Sequence, residues 1–203
     1  LIGGMPFFDS VTHTFGTAGT GGFGIKNDSI AGYSNYIQVV ITVFMALFGI
    51  NFNLYFLLLC GNFKSVFKSE ELSSYILIMV AAVVLIAFDI RTLFTTGAEA
   101  FRHAAFQVSS VMTTTGFSTT DFNQWPDLSK VNMLLVMCIG SCAGSTGGGI
   151  KVARIILVFK NAKRDLKPLR HPRYVNVVTF AGERVTDDVM QSTCVYMCLY
   201  III

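Results

Sequence analysis

The chain has 203 residues, 53% of them hydrophobic and only 13% charged, with a mean hydropathy of +0.60. Soluble domains carry about 25% charged residues, so this composition points away from a soluble enzyme and toward a chain that lies in a bilayer. The formal net charge of +3 is small and the lysines are not interleaved with aromatics, which excludes nucleic acid as the expected partner.

In chain order, the first element is a pore loop over about residues 5–24. Its residues 7–16 are too short and too polar to span, since they hold Asp9 and His13, and they predict a short helix entering partway. A helix follows over 36–63, centred on the uncharged run Ile37 to Cys60. A bilayer core requires about 20 apolar residues per helix, so this run is long enough. Its midpoint carries an irregularity, Gly49-Ile50-Asn51-Phe52-Asn53, with two amides at membrane depth. Polar groups there are costly and face a bundle interior or a water-filled path. Residues 69–74, with Glu70 and Glu71, predict a cytoplasmic turn and the start of a helix over 72–92, whose apolar stretch 72–88 is of borderline length. A second pore loop is expected over 99–120, with another short helix at 101–112 that carries Arg102, His103 and Gln107. The uncharged run 131–150 belongs to a broken helix over 129–164, followed by a basic segment at 165–188 and an apolar run from Val189 to Ile203. The chain reads as an interior piece of a longer protein.

The two loops share a signature. Thr17-Ala18-Gly19-Thr20-Gly21-Gly22-Phe23-Gly24 and Val111-Met112-Thr113-Thr114-Thr115-Gly116-Phe117-Ser118 align with Thr20 on Thr114, Gly22 on Gly116 and Phe23 on Phe117, an offset of 94 residues. Phe7 falls on Phe101 in the same register. An internal period of this kind is the sequence mark of a repeat architecture. Irregular backbone at membrane depth survives only where protein buries it or water reaches it. A selectivity filter replaces an ion's hydration shell with backbone carbonyls, and glycine permits the torsions that aim successive carbonyls at one axis. Thr20, Thr113, Thr114 and Thr115 add hydroxyl oxygens or brace the loop from behind, and Phe23 and Phe117 are expected to wedge it from the protein side. Neither signature holds a carboxylate, and a neutral carbonyl site suits a large monovalent cation better than a divalent one, which favours carboxylates.

Charge gives the orientation. Lys64 and Lys68 follow the first long run; Lys151, Arg154, Lys160, Lys163, Arg164, Lys167, Arg170, Arg173 and Arg184 follow the last, leaving only Lys26, Arg91, Arg102 and Lys130 in the opposite loops. Positive residues concentrate on the cytoplasmic side, so both pore loops enter from outside. The basic run also suits contact with anionic membrane lipid.

Gly140-Ser141-Cys142-Ala143-Gly144-Ser145-Thr146-Gly147-Gly148-Gly149-Ile150-Lys151 interrupts an otherwise continuous helix. Each interior glycine costs about 1 kcal/mol of helix stability relative to alanine, so the helix is expected to break here. The string is not a phosphate loop: Ile150 stands where the lysine belongs, and no Ser or Thr follows Lys151. A flexible, uncharged break below a filter suits an obstruction in the pore. The cysteine pairs Cys138/Cys142 and Cys194/Cys198 are expected to be packing residues, and His13, His103 and His171 lack a nucleophile partner.

These strings together, above all Ala143-Gly144-Ser145-Thr146-Gly147-Gly148-Gly149-Ile150-Lys151, resemble the bacterial potassium-uptake members of the Trk/Ktr/HKT superfamily of cation transporters. The resemblance covers essentially the whole chain, including Lys163-Arg164-Asp165-Leu166-Lys167 and His171-Pro172. It implies an all-α integral membrane fold of helix–pore loop–helix repeats, four around one pore, in the bacterial cytoplasmic membrane. Residues 1–71 would belong to the second repeat, 72–166 to the third, and 167–203 to a cytoplasmic basic linker and the start of the fourth. It further implies Gly22 and Gly116 as filter glycines, with Thr20, Gly21, Thr114 and Thr115 supplying oxygens to potassium. The gating loop would comprise Gly140, Ala143, Gly144, Ser145, Thr146, Gly147, Gly148 and Gly149. A homodimer and a TrkA-like cytoplasmic nucleotide-binding regulatory subunit are the implied partners, with potassium the bound ion, no organic cofactor and no enzymatic reaction. A sodium-permeable or proton- or sodium-coupled transporter of the same architecture is the alternative. Same-direction repeats favour the pore over a transporter built from inverted repeats.

Overall fold

A computed structural model describes residues 1–170, 178–180 and 182–202. The expected linker residues His171, Pro172 and Arg173 lie outside these. Nine α-helices run through the described residues: α1 (Phe7–Ala18), α2 (Asn35–Phe48), α3 (Phe52–Leu59), α4 (Phe63–Phe67), α5 (Glu70–Asp89), α6 (Gly97–Met112), α7 (Asp127–Ile139), α8 (Val152–Arg170) and α9 (Asp187–Ile202). A two-residue antiparallel pair, Thr179–Phe180 with Glu183–Arg184, is the one strand pairing among them.

Local chemistry sets the boundaries. Ser34 and Ser69 cap α2 and α5, each side chain accepting from the backbone N–H three residues on, at Ile37 and Leu72. Such caps satisfy an amide that the helix itself leaves free. Proline precedes α1 (Pro6) and α7 (Pro126), where its missing N–H costs nothing.

The spans differ from the sequence expectation. The borderline stretch is the long unbroken helix, Glu70–Thr92, and among the described residues it alone is long and apolar enough to cross a membrane. The longer uncharged run is not one helix over 36–63: α2 and α3 meet at a 91° bend, and only the pair together has the length and apolarity of a span. The cause lies at 49–51. Asn51 caps α3 through its own side chain, which accepts from Asn53 N–H at 2.9 Å, so a new helix starts there instead of the old one continuing. The run 131–150, expected to break at its glycine string, is divided between α7 and the segment leading to α8.

The core forms around α6, which packs on α2, α5 and α7. Its small residues Ala100 and Ala104 are fully buried and let α5 approach, with Tyr75, Ile86 and Ile90 packed beside them. A second cluster joins Ile30, Met45, Phe106 and Phe117 between the two loops. At the far end, α8 is tied to α5 by a Lys160–Glu70 ion pair and to α9 by Arg164–Asp187 at 2.6 Å.

Candidate functional site: two matched loops on a glycine loop

The helices α1 and α6 end at equivalent positions, Ala18 and Met112, and the same hydrogen bonds then recur 94 residues apart. Gly21 N–H donates to Gly16 O at 2.9 Å and Thr115 N–H to Ser110 O at 2.8 Å. Gly22 and Gly116 N–H reach the same two carbonyls at 3.4 Å. Thr20 and Thr114 hydroxyls turn back on the carbonyls of Gly19 and Thr113.

The torsions repeat too. Thr20 has φ +49° and Gly22 φ +66°; Thr114 has φ +58° and Gly116 φ +88°. For a β-branched residue the left-handed region is a true outlier, and residues held there cost on the order of 1–3 kcal/mol. The two loops hold that strain at the same places. The carbonyl oxygens of Thr20, Gly21, Gly22, Thr114, Thr115 and Gly116 accept no hydrogen bond among the described residues. The loops also approach each other closely. A Cβ on Gly22 would overlap the Thr115 carbonyl, whereas one on Gly116 would meet open space.

Behind the loops the repeats diverge. Thr115 and Thr113 hydroxyls bond to each other at 2.7 Å, and Ser110 Oγ donates to Phe117 O at 2.6 Å. These hydroxyls brace the second loop. Gly16 stands where Ser110 does, and its missing side chain leaves room for the Phe117 ring, whose Cζ would be 3.1 Å from a Cβ there. Phe117 is 0% exposed and lies 5.5 Å from the His13 ring. His13 itself is buried and bonded to Asp9 O. Phe23 behaves otherwise: it is 79% exposed and wedges nothing within the described chain, because no described helix stands behind it as α1 stands behind Phe117. The second loop is also joined to the stretch that follows the first, with Ile30 N–H donating to Ser118 O and Ser118 N–H to Ser29 Oγ. Near them Tyr33 donates to Asp9 at 2.7 Å, and desolvation together with that carboxylate pushes the phenol up to about 12.

The glycine segment 140–151 lies directly against both loops. Thr20 Oγ1 donates to Thr146 O at 2.9 Å, and Gly148 N–H donates to Thr114 Oγ1 at 2.7 Å. Thr20 and Thr114 thus spend their hydroxyls on this segment, leaving their carbonyls free. On its other flank the segment pairs with the bend between α2 and α3. Cys142 N–H donates to Gly49 O and Phe52 N–H to Gly144 O, both at 3.0 Å. Ala143 N–H donates to the Glu71 carboxylate at 2.6 Å. The ends of the segment are pinched together: Ile150, Lys151 and Val152 N–H reach Cys138, Ile139 and Ser141 carbonyls. The Lys151 ammonium donates to Gly147 O and Ser145 Oγ to Cys142 O, so the excursion is bonded within itself as well.

The arrangement brings together Thr20, Gly21, Gly22, Thr114, Thr115, Gly116 and the whole glycine segment. Sequence reasoning missed Glu71 and the cross-chain role of Gly49. Glu71 sits in the first turn of α5 beside Glu70, where acidic residues are ordinary. Only its burial, at 7% exposed, separates it from its neighbour. Among the described residues there is no cluster of three or more His, Cys, Asp or Glu able to hold a metal.

The family model TrkH, described as a cation transport protein, matches residues 2–203. The chain is 33% identical over 202 residues to the Trk system potassium uptake protein TrkG of Escherichia coli, and 34% identical over 205 residues to TrkH of Salmonella typhimurium. Each alignment takes in 98% of this chain and 42% of the relative, so the chain spans less than half the length of these proteins. The crystal structure of the potassium transporter TrkH from Vibrio parahaemolyticus superposes with a TM-score of 0.92 at 33% identity, over 99% of this chain and 44% of that one. A helical membrane protein is what the shared fold describes, and the chain belongs to the TrkH family of cation transport proteins.

Proposed function

We propose that this chain forms part of a potassium-uptake pore in the bacterial cytoplasmic membrane, with residues 17–24 and 111–118 as two of its four filter loops. The carrying observation is the repeated left-handed backbone at Thr20 and Gly22 and at Thr114 and Gly116. It leaves six carbonyls unbonded in two loops that touch, and carbonyl rings are what replace the hydration shell of a monovalent cation. Similarity to Trk system potassium uptake proteins supports potassium as the ion. Residues 1–71 serve as the second repeat, 72–166 as the third, and 167–203 lead into the fourth.

Gly140, Ala143, Gly144, Ser145, Thr146, Gly147, Gly148 and Gly149 act as the gate. Bonded to Thr20 and Thr114, the segment lies across the path below the filter, so ions pass only when it moves aside. The basic α8 faces the cytoplasm, where it meets anionic lipid or a TrkA-like regulatory subunit, and two copies of the protein pair as a homodimer. The test is reconstitution of the full-length protein and measurement of potassium and sodium flux against voltage. A potassium-selective flux that follows the electrochemical gradient supports this reading. A flux with a fixed proton or sodium coupling ratio replaces it with the coupled transporter.

A further inference from the structure

We propose that Glu71 is a positioning residue of the gate: its buried carboxylate holds the glycine segment closed from the flank opposite the filter. The proposal rests on the reading of 140–149 as a gate. Glu71 stands in the first turn of α5, yet unlike exposed Glu70, which pairs with Lys160, it turns into the protein and is 7% exposed. Its Oε1 accepts from Ala143 N–H at 2.6 Å. Lys151, also in the segment, supplies the neighbouring positive charge and is itself bonded to Gly147 O.

A buried carboxylate is expensive unless fully bonded, and one backbone N–H needs only a neutral acceptor. The charge matters because hydrogen bonds to an ionised acceptor are roughly twice as strong as neutral ones. Around Ala143, the flanking Cys142 and Gly144 are bonded to Gly49 and Phe52 of the α2–α3 bend. Residues 142–144 thus form the fixed foot of the segment, and Thr146 and Gly148 form the part pressed to the filter. Among the described residues it is Glu71 whose carboxylate binds this foot. Releasing it frees the segment to swing while leaving the filter carbonyls untouched.

The experiment uses the full-length protein in liposomes and reads basal rubidium flux together with the potassium-to-sodium permeability ratio. Glu71→Ala should raise basal flux by about tenfold, the effect of losing one charge-assisted hydrogen bond, with the permeability ratio unchanged. Glu71→Gln retains an acceptor oxygen and should stay within about threefold of wild type, since a neutral bond is only about half as strong. Wild-type flux from a correctly inserted Glu71→Ala protein overturns the proposal, and so does a changed permeability ratio, which indicates general disruption. If Glu71→Ala does not insert, Glu71→Asp decides: it keeps the charge but withdraws the carboxylate by one methylene, so raised flux supports the assignment and wild-type flux overturns it. Deletion within 144–149 separates the two layers. If the deletion leaves flux at the wild-type level, the gate reading falls and takes Glu71 with it. If the deletion raises flux and the Glu71 variants do not, only the Glu71 assignment falls.

Discussion

Gly140 and Gly149 meet at the neck of the glycine segment, each in the space that a side chain on the other would need. A Cβ on Gly140 would lie 2.6 Å from Gly148 O and 3.0 Å from Gly149 Cα; one on Gly149 would lie 2.8 Å from Gly140 Cα. Both residues also have positive φ, +74° and +81°. The obstacle in each case is backbone, which cannot rotate away. Gly140→Ala and Gly149→Ala should each destabilise the closed segment by about 1–3 kcal/mol and raise basal flux. Thermal unfolding in detergent and liposome flux check this, with Gly97→Ala as the control. Gly97 has nothing within 4 Å of a Cβ and no positive φ, so that variant should match wild type.

The two filter glycines should fail differently. Gly22→Ser and Gly116→Ser are both expected to lower the potassium-to-sodium permeability ratio, because each removes the residue that tolerates the left-handed turn of the carbonyl array. Only at Gly22 does the new Cβ strike the Thr115 carbonyl. Gly22→Ser should therefore also cut the yield of folded protein, while Gly116→Ser inserts closer to normally. An unchanged ratio in both variants removes the filter assignment.

Much of this site was legible because it repeats. Two loops aligned on Gly22 and Gly116 predicted matched backbone, and the matched positive φ values at Thr20 and Thr114 follow from that register. The break at 140–151 was legible from glycine content alone. Apolar run length was a poorer guide: 37–60 has the composition of one span, but Asn51 starts a new helix by capping it, and a cap outweighs propensity when the freed backbone finds partners across the chain, here at Cys142 and Gly144. Glu71 was not legible, since burial of a carboxylate depends on what folds against it. Phe23 and Phe117 show the same limit. Their sequence environments match, but their packing depends on which helix stands behind each.

Removing the hydroxyls that join the two loops to the glycine segment should uncouple the proposed filter from the proposed gate. Thr114→Val keeps the β-branched shape, so the loop torsion survives, but it leaves Gly148 N–H without its acceptor. The bond is exposed, so its loss costs the net worth of one hydrogen bond, about 0.5–1.5 kcal/mol, which corresponds to an increase in basal flux of roughly two- to tenfold. Thr20→Val removes a donor shared between Gly19 O and Thr146 O, carbonyls that can accept from water instead, and should have a smaller effect in the same direction. Flux assays on both single variants and the double variant measure the coupling. Wild-type flux in the double variant would mean that the hydroxyls do not hold the segment.

The contrast between Phe117 and Phe23 tests the closed ring. Phe117 is buried between Gly16, His13 and the core, so Phe117→Ala should cost about 3–5 kcal/mol, as large buried aromatics do. Phe23 occupies the equivalent place in its own loop but is exposed within this chain. If four repeats close around the pore, a neighbouring pore helix covers Phe23 in the full-length protein just as α1 covers Phe117. Phe23→Ala in that protein should then lower the unfolding midpoint by about as much as Phe117→Ala. If Phe23 instead faces lipid or water, its truncation should change stability by no more than about 0.5 kcal/mol, the ordinary range for a surface substitution. Paired thermal melts of the two variants decide between these, and a null effect at Phe23 would count against the ring of equivalent repeats.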